Sequence, residues 1–363
     1  MSVEISVRAI SSDLTTERTE DTEKEKKPLC LRVFAVKNSV MLFREPLLFE
    51  PLPMERVWGG RRLETVLGKS LPPGVPVGES WEIVDRADAQ SVVHGGPLAG
   101  RTLHDLWTTQ RPEIFGPAYA AHPAGRFPIL IKLLDARERL SVQVHPPAAI
   151  APALQGEPKT EMWYFLDCLP GASIYAGLRR GVTRADFEEA MERGEVEGTL
   201  HQASVQSGES IFIPSGRVHA IGEGCLIVEV QQNSDTTYRV FDWNRTGLDG
   251  QPRALHIPES MSSIDFADFE PAIDAASPGS DSVVAACEHF LVERWQLDEP
   301  REALDGGTFA IFAVISGRVG LGGHVFDVGT FFLVPSGMEK ALLHPLGGPA
   351  AVLRSTLPQP RHH

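Results

Sequence analysis

The stretch Gly208-x5-Pro214-x-Gly216-x2-His219 returns further along the chain as Gly329-x5-Pro335-x-Gly337-x2-Lys340. Three apolar residues followed by Pro-Ser-Gly stand at the centre of both copies. A spaced repeat of this kind points to two copies of one module. The apolar runs are short and end at turn residues, so the module is read as β. The copies differ at their last position, where His219 in the first becomes Lys340 in the second. Imidazole is a metal ligand, whereas a protonated ammonium has no lone pair to offer a cation. The second copy is therefore expected to hold no metal.

From about residue 42 the chain runs through closely spaced apolar segments at 127–134, 140–145, 161–166, 210–214, 226–231 and 238–242. Many short strands separated by Gly, Pro and polar turns imply a β-sandwich or barrel. Two short helices interrupt them. One lies near Leu103–Trp107. The other starts at Thr183, where Asp186 three residues on resembles a capping box. Phe187, Ala190 and Met191 form its apolar face, and Gly194 or Gly198 ends it. Residues 1–40 differ from the rest, and Thr15–Lys27 is nearly all polar and charged. That composition predicts a disordered tail, and Met41 is an alternative start. The expected organisation is a tail over 1–40, a metal-binding module over 41–270 with a helical insertion at 183–198, a linker over 271–284, and a second β module without metal over 285–363.

Alternation along Leu140-Ser-Val-Gln-Val-His145 is strict, so Ser141, Gln143 and His145 share one face of the predicted strand and Leu140, Val142 and Val144 the other. Glu161 opens a further apolar strand sixteen residues on, and His219 closes the repeat described above. Gln143, His145, Glu161 and His219 make an N/O donor set suited to Zn²⁺ or a similar divalent ion. A lone histidine after a strand is more often a capped or exposed imidazole; it is the combination that points to a metal. His94, His104, His122, His201, His256, His289, His324 and His344 show no such spacing. Trp58, Trp81 and Trp163 read as core.

Bulk properties exclude several classes. The chain has 363 residues, enough for more than one module, and no apolar run long enough for a membrane helix. No secretory leader pattern is visible at the N-terminus. Cys30, Cys168, Cys225 and Cys287 are widely spaced in sequence and form no CxxC, so free thiols in a reducing cytoplasm are expected. The net charge of −14 disfavours nucleic acid, and an anionic ligand would need a local basic pocket.

Gly-x5-Pro-x-Gly-x2-His resembles the second half of the cupin signature. Together with LSVQVHP, KTEMWY, IPSGRVHAIG and EVQQNSDTTYRVFDW, it resembles the type I mannose-6-phosphate isomerases, short bacterial form. RVWGGRRLE (56–64), VGESWEI (77–83) and PILIKLLDA (128–136) are similar to the same family. The likeness spans roughly 42–270 strongly and 285–356 weakly.

The resemblance implies a mainly β fold of cupin jelly-roll barrels with a few short helices, the metal-binding module first and a degenerate one after it. It implies one zinc per chain held by Gln143, His145, Glu161 and His219. It also implies that Lys132, Lys159, Glu229 and Arg239 line the pocket, with Ser141 as a candidate phosphate contact. The expected reaction interconverts mannose 6-phosphate and fructose 6-phosphate through a metal-stabilised enediolate. Catalytic roles are expected for Glu229, Arg239 and Lys159, and substrate contacts for Lys132 and Ser141. Glu229 and a metal-bound hydroxide are competing bases, and Glu229 paired with Arg239 as a plain ion pair is the bland alternative. Two other functions remain in view. A cupin dioxygenase would want more histidine in its site, and a non-catalytic sugar-binding cupin would not need all four ligands. The expected partner is a small phosphosugar, with no nucleic acid and no membrane; the sequence leaves the oligomeric state open.

Overall fold

The computed structural model describes residues 43–359. The tail expected over 1–40 and the terminal His362-His363 lie outside the described residues. Between residues 52 and 241 the chain builds two antiparallel sheets. The first contains β1 (Leu52–Gly60), β2 (Val77–Ile83), β3 (Ile129–Ala136), β5 (Glu161–Cys168), β8 (Ser210–Ile213) and β10 (Cys225–Gln232). Their spatial order is β1-β2-β3-β10-β5-β8. The second contains β4 (Val142–Val144), β6 (Ser173–Leu178), β7 (Leu200–Ser204), β9 (His219–Ile221) and β11 (Tyr238–Phe241), in the order β11-β4-β9-β6-β7.

The first sheet is buried on both faces, which is why β3 reads as a continuous apolar run rather than an alternating one. Alternation still sorts its residues. Ile131 and Leu133 of β3, Met162 and Tyr164 of β5 and Val228 and Val230 of β10 face one core. Leu134, Trp163, Phe165 and Ile227 face the other, together with Ile174, Ala176 and Ile221 of the second sheet. The two sheets therefore pack face to face, and the polar residues of this inner face meet inside a jelly roll. Truncating a fully buried member such as Leu133 to Ala should cost about 2–5 kcal/mol.

Residues 282–356 form a five-stranded and a four-stranded antiparallel sheet. Trp295, Phe312 and Phe332 of one pack on Val319, Phe326 and Leu343 of the other. Val292, Ile311 and Leu353 join the core on the outer face of the first sheet. The segment expected as a linker is engaged: Asp274 and Ser210 exchange backbone hydrogen bonds at 2.9 and 3.1 Å, and a strand begins at Ser282.

Helix α1 (Leu103–Thr109) and helix α2 (Arg184–Arg193) occupy the two predicted places. Thr183 and Asp186 complete the capping box of α2, and Gly194 ends it in the left-handed region with φ 71°. The strand predicted over 140–145 is shorter, covering only Val142–Val144. Pro146 and Pro147 have no N–H for a ladder, so pairing stops before them. The Gly59-Gly60 pair of RVWGGRRLE marks a close approach: a Cβ on Gly59 would lie 2.3 Å from the Gly78 nitrogen, and one on Gly60 would lie 2.5 Å from Asp135 Oδ2.

Candidate metal centre and active site

Register places the site. On the first sheet, Lys132, Glu229 and Trp163 lie side by side across β3, β10 and β5, and Gln231 is opposite Glu161. On the second sheet, Arg239 is opposite Gln143, and Gln143 is opposite His219. His145 follows β4 immediately. The sheets bring these rows together in the barrel interior.

His145, Glu161 and His219 form a fully buried cluster whose donor atoms all lie within 4.8 Å of one another. His145 Nε2 is 3.4 Å from Glu161 Oε2, and His219 Nε2 is 3.5 Å from Glu161 Oε1. Each imidazole is oriented from behind. His145 Nδ1 lies 2.8 Å from the Thr236 carbonyl and His219 Nδ1 2.9 Å from the Arg217 carbonyl. An Nδ1–H donated to a carbonyl leaves Nε2 as a lone pair aimed at the cluster. Burial, helped by the Lys159 ammonium, pushes His145 down to about 3 against the pull of Glu161. Burial likewise lowers His219. Both rings are therefore neutral at pH 7, the state a metal ligand requires.

Glu161 is held well below the usual carboxylate range. Burial opposes this, and the Lys159 ammonium is the largest influence against it. Both of its carboxylate oxygens are buried without a hydrogen-bond partner. Lys159 Nζ sits 2.8 Å from Oε2, an ion-pair contact lacking hydrogen-bond geometry. An ionised, fully buried carboxylate with two unpartnered oxygens, faced by two neutral imidazoles, fits a divalent cation. Gln143 Nε2 is 3.2 Å from His219 Nε2. The amide NH₂ donates to that lone pair here, and a half-turn about its last bond would present the carbonyl oxygen instead.

Beside the cluster lies a cavity of about 570 Å³. Six of the predicted site residues line it: Lys132, Ser141, Gln143, Lys159, Glu229 and Arg239. Lys132 Nζ is 3.0 Å from Glu229 Oε1, and Lys159 Nζ is 3.8 Å from the same oxygen. The expected alternative of a Glu229–Arg239 ion pair is not formed, because register sets Lys132 and not Arg239 beside the carboxylate. Burial and the nearby Glu161 charge push Glu229 up, outweighing Lys132 and Lys159. Burial pulls the Lys132 ammonium down, but Glu229 and Glu79 outweigh it and hold the group charged. Ser141 is buried in the cavity wall just before β4. Arg239 donates through Nη1 to the Ala254 carbonyl at 2.8 Å, while its Nε is buried without a partner.

Several site residues had no predicted role. Glu79 Oε1 accepts from Arg56 Nε at 3.0 Å, and its Oε2 accepts from Trp81 Nε1 at 2.6 Å and lies 3.8 Å from Lys132. Trp163 Nε1 donates to Glu229 Oε2 at 2.9 Å. These tryptophans are core residues, as expected, and they also fix the site carboxylates. Arg56, Lys132 and Lys159 match the charges of Glu79, Glu161 and Glu229. Arg253, also on the cavity wall, is clamped by Asp242 with Nε 2.7 Å from Oδ2, and Arg245 Nη2 is 2.9 Å from Oδ1 of the same carboxylate. Arg245 and Arg253 thus share a single carboxylate, and Arg239 lines the same cavity as Arg253, giving local positive charge in an acidic chain. The available sequence signal was a charged residue two positions from a tryptophan on an apolar strand, as in Glu79-Ser-Trp81.

Comparison with known proteins agrees with this geometry. Residues 48–164 match the catalytic domain of type I phosphomannose isomerases. The mannose-6-phosphate isomerase ManA of Bacillus subtilis is 36% identical over 82% of this chain and 95% of its own. This chain belongs to the type I phosphomannose isomerase family. A mannose-6-phosphate isomerase of Streptococcus mutans is 33% identical over 82% of this chain and 94% of its own. Among solved structures, the mannose 6-phosphate isomerase of Bacillus subtilis superposes with a TM-score of 0.76 at 30% identity, covering 86% of this chain and 99% of that one. The cupin fold expected from the motifs is the fold of this family member. Among the described residues, no helix is long and apolar enough to cross a membrane.

Proposed function

We propose that the chain is a mannose-6-phosphate isomerase, interconverting mannose 6-phosphate and fructose 6-phosphate with one zinc ion held by Gln143, His145, Glu161 and His219. The observation that carries this reading is Glu161, ion-paired to Lys159 but with neither oxygen hydrogen-bonded, set between two neutral imidazoles at the edge of a charged cavity. A cation bound there would supply Lewis-acid stabilisation of the charge that develops on O1 and O2 of the open-chain sugar.

The remaining work falls to the protein's own groups. Aldose–ketose interconversion moves one proton between C1 and C2, so a base must take it and return it to the neighbouring carbon. Glu229 is assigned this role. Its raised proton affinity suits a group that must hold the proton between the two steps, and Trp163 and Lys132 fix its carboxylate. Lys159, between Glu161 and Glu229, is assigned to steady the oxygen that gains charge during transfer. Arg239 offers its free Nε–H to the same developing charge. Lys132 and Ser141 position the substrate, and the Arg245–Arg253 pair on Asp242 supplies the local basic surface that a phosphate needs. Residues 41–270 are assigned as the catalytic module and 285–363 as a module without metal. Lys340, at the repeat position equivalent to His219, is exposed.

A coupled assay following fructose 6-phosphate formation from mannose 6-phosphate tests the reading. Turnover in the unaltered chain that falls by on the order of 10²–10⁴ in the Glu229→Gln enzyme is expected. A protein that binds mannose 6-phosphate yet never converts it would instead be a sugar-binding cupin.

A further inference from the structure

Cys168 and Cys225 are distant in sequence but stand directly opposite each other on β5 and β10. The Leu169 N–H donates to the Gly224 carbonyl at 2.9 Å, so the adjacent 169/224 pair is the hydrogen-bonded one. The Cys168 N–H turns instead to Ser207 Oγ at 3.0 Å. Cys168 and Cys225 therefore form a non-hydrogen-bonded pair. Cα atoms in such pairs are about 4.5 Å apart, with the side chains close together. That spacing falls inside the roughly 4.4–6.8 Å that a disulfide spans. Both thiols are reduced in the structure.

The two sulfurs differ in character. Cys168 is half-buried and is drawn toward thiolate, first by contact with the Cys225 thiol and then by Arg62, against burial and nearby carboxylates. Cys225 is fully buried and held as a thiol by Cys168 and by burial. Cys168 is the partly exposed member of the pair, and a second cavity, about 800 Å³, is lined by the adjoining residues Leu169 and Gly224.

We propose that Cys168 and Cys225 are a reversible thiol-modification site that closes to a cross-strand disulfide on exposure to hydrogen peroxide. The Cys168 thiolate attacks one peroxide oxygen, the O–O bond breaks, and the product is a sulfenic acid; hydroxide leaves and takes a proton to become water. The Cys225 sulfur then attacks the Cys168 sulfur. The S–O bond breaks, and the departing hydroxyl leaves as water with the Cys225 proton. Two thiols and one peroxide thus give one disulfide and two waters. The link ties the outer ends of the strands that carry Glu161 and Glu229, away from the cluster itself, so it stiffens the sheet without entering the cavity.

The test is non-reducing peptide mapping by mass spectrometry of the full chain after peroxide treatment. The expected product is a linked pair of peptides containing Cys168 and Cys225, lighter by two hydrogens than the separate peptides and restored by dithiothreitol. The oxidised chain should melt higher by roughly 3–10 °C. In Cys225→Ala, dimedone should capture a sulfenic acid on Cys168 with no link formed. Cys168→Ser should likewise form no link, and it serves if the first variant does not fold. Oxidation of Cys168 in the unaltered chain without the link, or a link from either residue to Cys30 or Cys287, would overturn the proposal.

Discussion

Lys132 and Glu229 face each other across the β3–β10 ladder, with Nζ 3.0 Å from Oε1 and both side chains buried. The pairing keeps a charged ammonium against a carboxylate whose proton affinity is raised by burial and by Glu161. Glu229→Gln removes the base and should lower turnover by on the order of 10²–10⁴ while bound metal is retained. In the metal-free chain the Glu229 carboxyl should titrate above the ordinary carboxylate value of 4.5, read by infrared difference spectroscopy. Lys132→Met should move that titration to still higher pH, because it takes away a charge that favours the ionised form. A titration unchanged in Lys132→Met would contradict the pairing.

Arg239 lines the cavity, and its Nε–H is unpartnered. A donor waiting for charge that appears only during the reaction acts on the transition state more than on binding. Arg239→Ala should reduce turnover by on the order of 10²–10³, with a smaller change in KM and no loss of metal. A rise in KM alone would make Arg239 a phosphate anchor that binds substrate and transition state equally.

Glu79 links the site to acid stability. Burial tends to raise its pKa, but Lys132, Arg56 and Trp81 outweigh this and bring it down to about 2 from 4.5. Between those values the unfolded chain takes up a proton that the folded chain does not. Stability is therefore present above about pH 4.5 and is lost as pH falls toward 2. The linkage is worth roughly 3 kcal/mol at most, from about 2.5 pH units at 1.36 kcal/mol each. The stability gap between the unaltered chain and Glu79→Gln, followed by urea unfolding, should narrow across this window. A gap that stays constant with pH would contradict the assignment.

What could be read in advance follows from how local the determinants are. Gln143 and His145 were visible from alternation within one segment, and His219 from a spaced motif. The capping box at Thr183 is a four-residue feature, and it appears as predicted. Glu79 and Arg56 lay inside motifs already noted, but their meeting depends on the β1–β2 pairing, whose register shifts at Met54–Glu55. Nothing local announces such a shift. Arg253 reaches the cavity from the segment after β11, and Cys168 meets Cys225 only through strand register. The strand over 140–145 was overestimated at both ends: the ladder covers only Val142–Val144, and Pro146 and Pro147 account for its C-terminal limit alone.

His219 differs from Lys340 in the repeat, and it anchors one side of the Glu161 cluster through Nε2. His219→Ala should lose both metal and activity, and elemental analysis should find less than one-tenth of the metal in the unaltered chain. Full metal occupancy in this variant would remove His219 from the ligand set.

Isomerisation is proposed to require a single cation held by Gln143, His145, Glu161 and His219. This requirement is tested most directly by stripping the full chain with a chelator, adding zinc back in steps, and measuring bound zinc and mannose 6-phosphate turnover on the same samples. Activity should rise in proportion to bound zinc and stop rising at one zinc per chain. Full turnover in the stripped chain, or activity that requires a second equivalent, would contradict it.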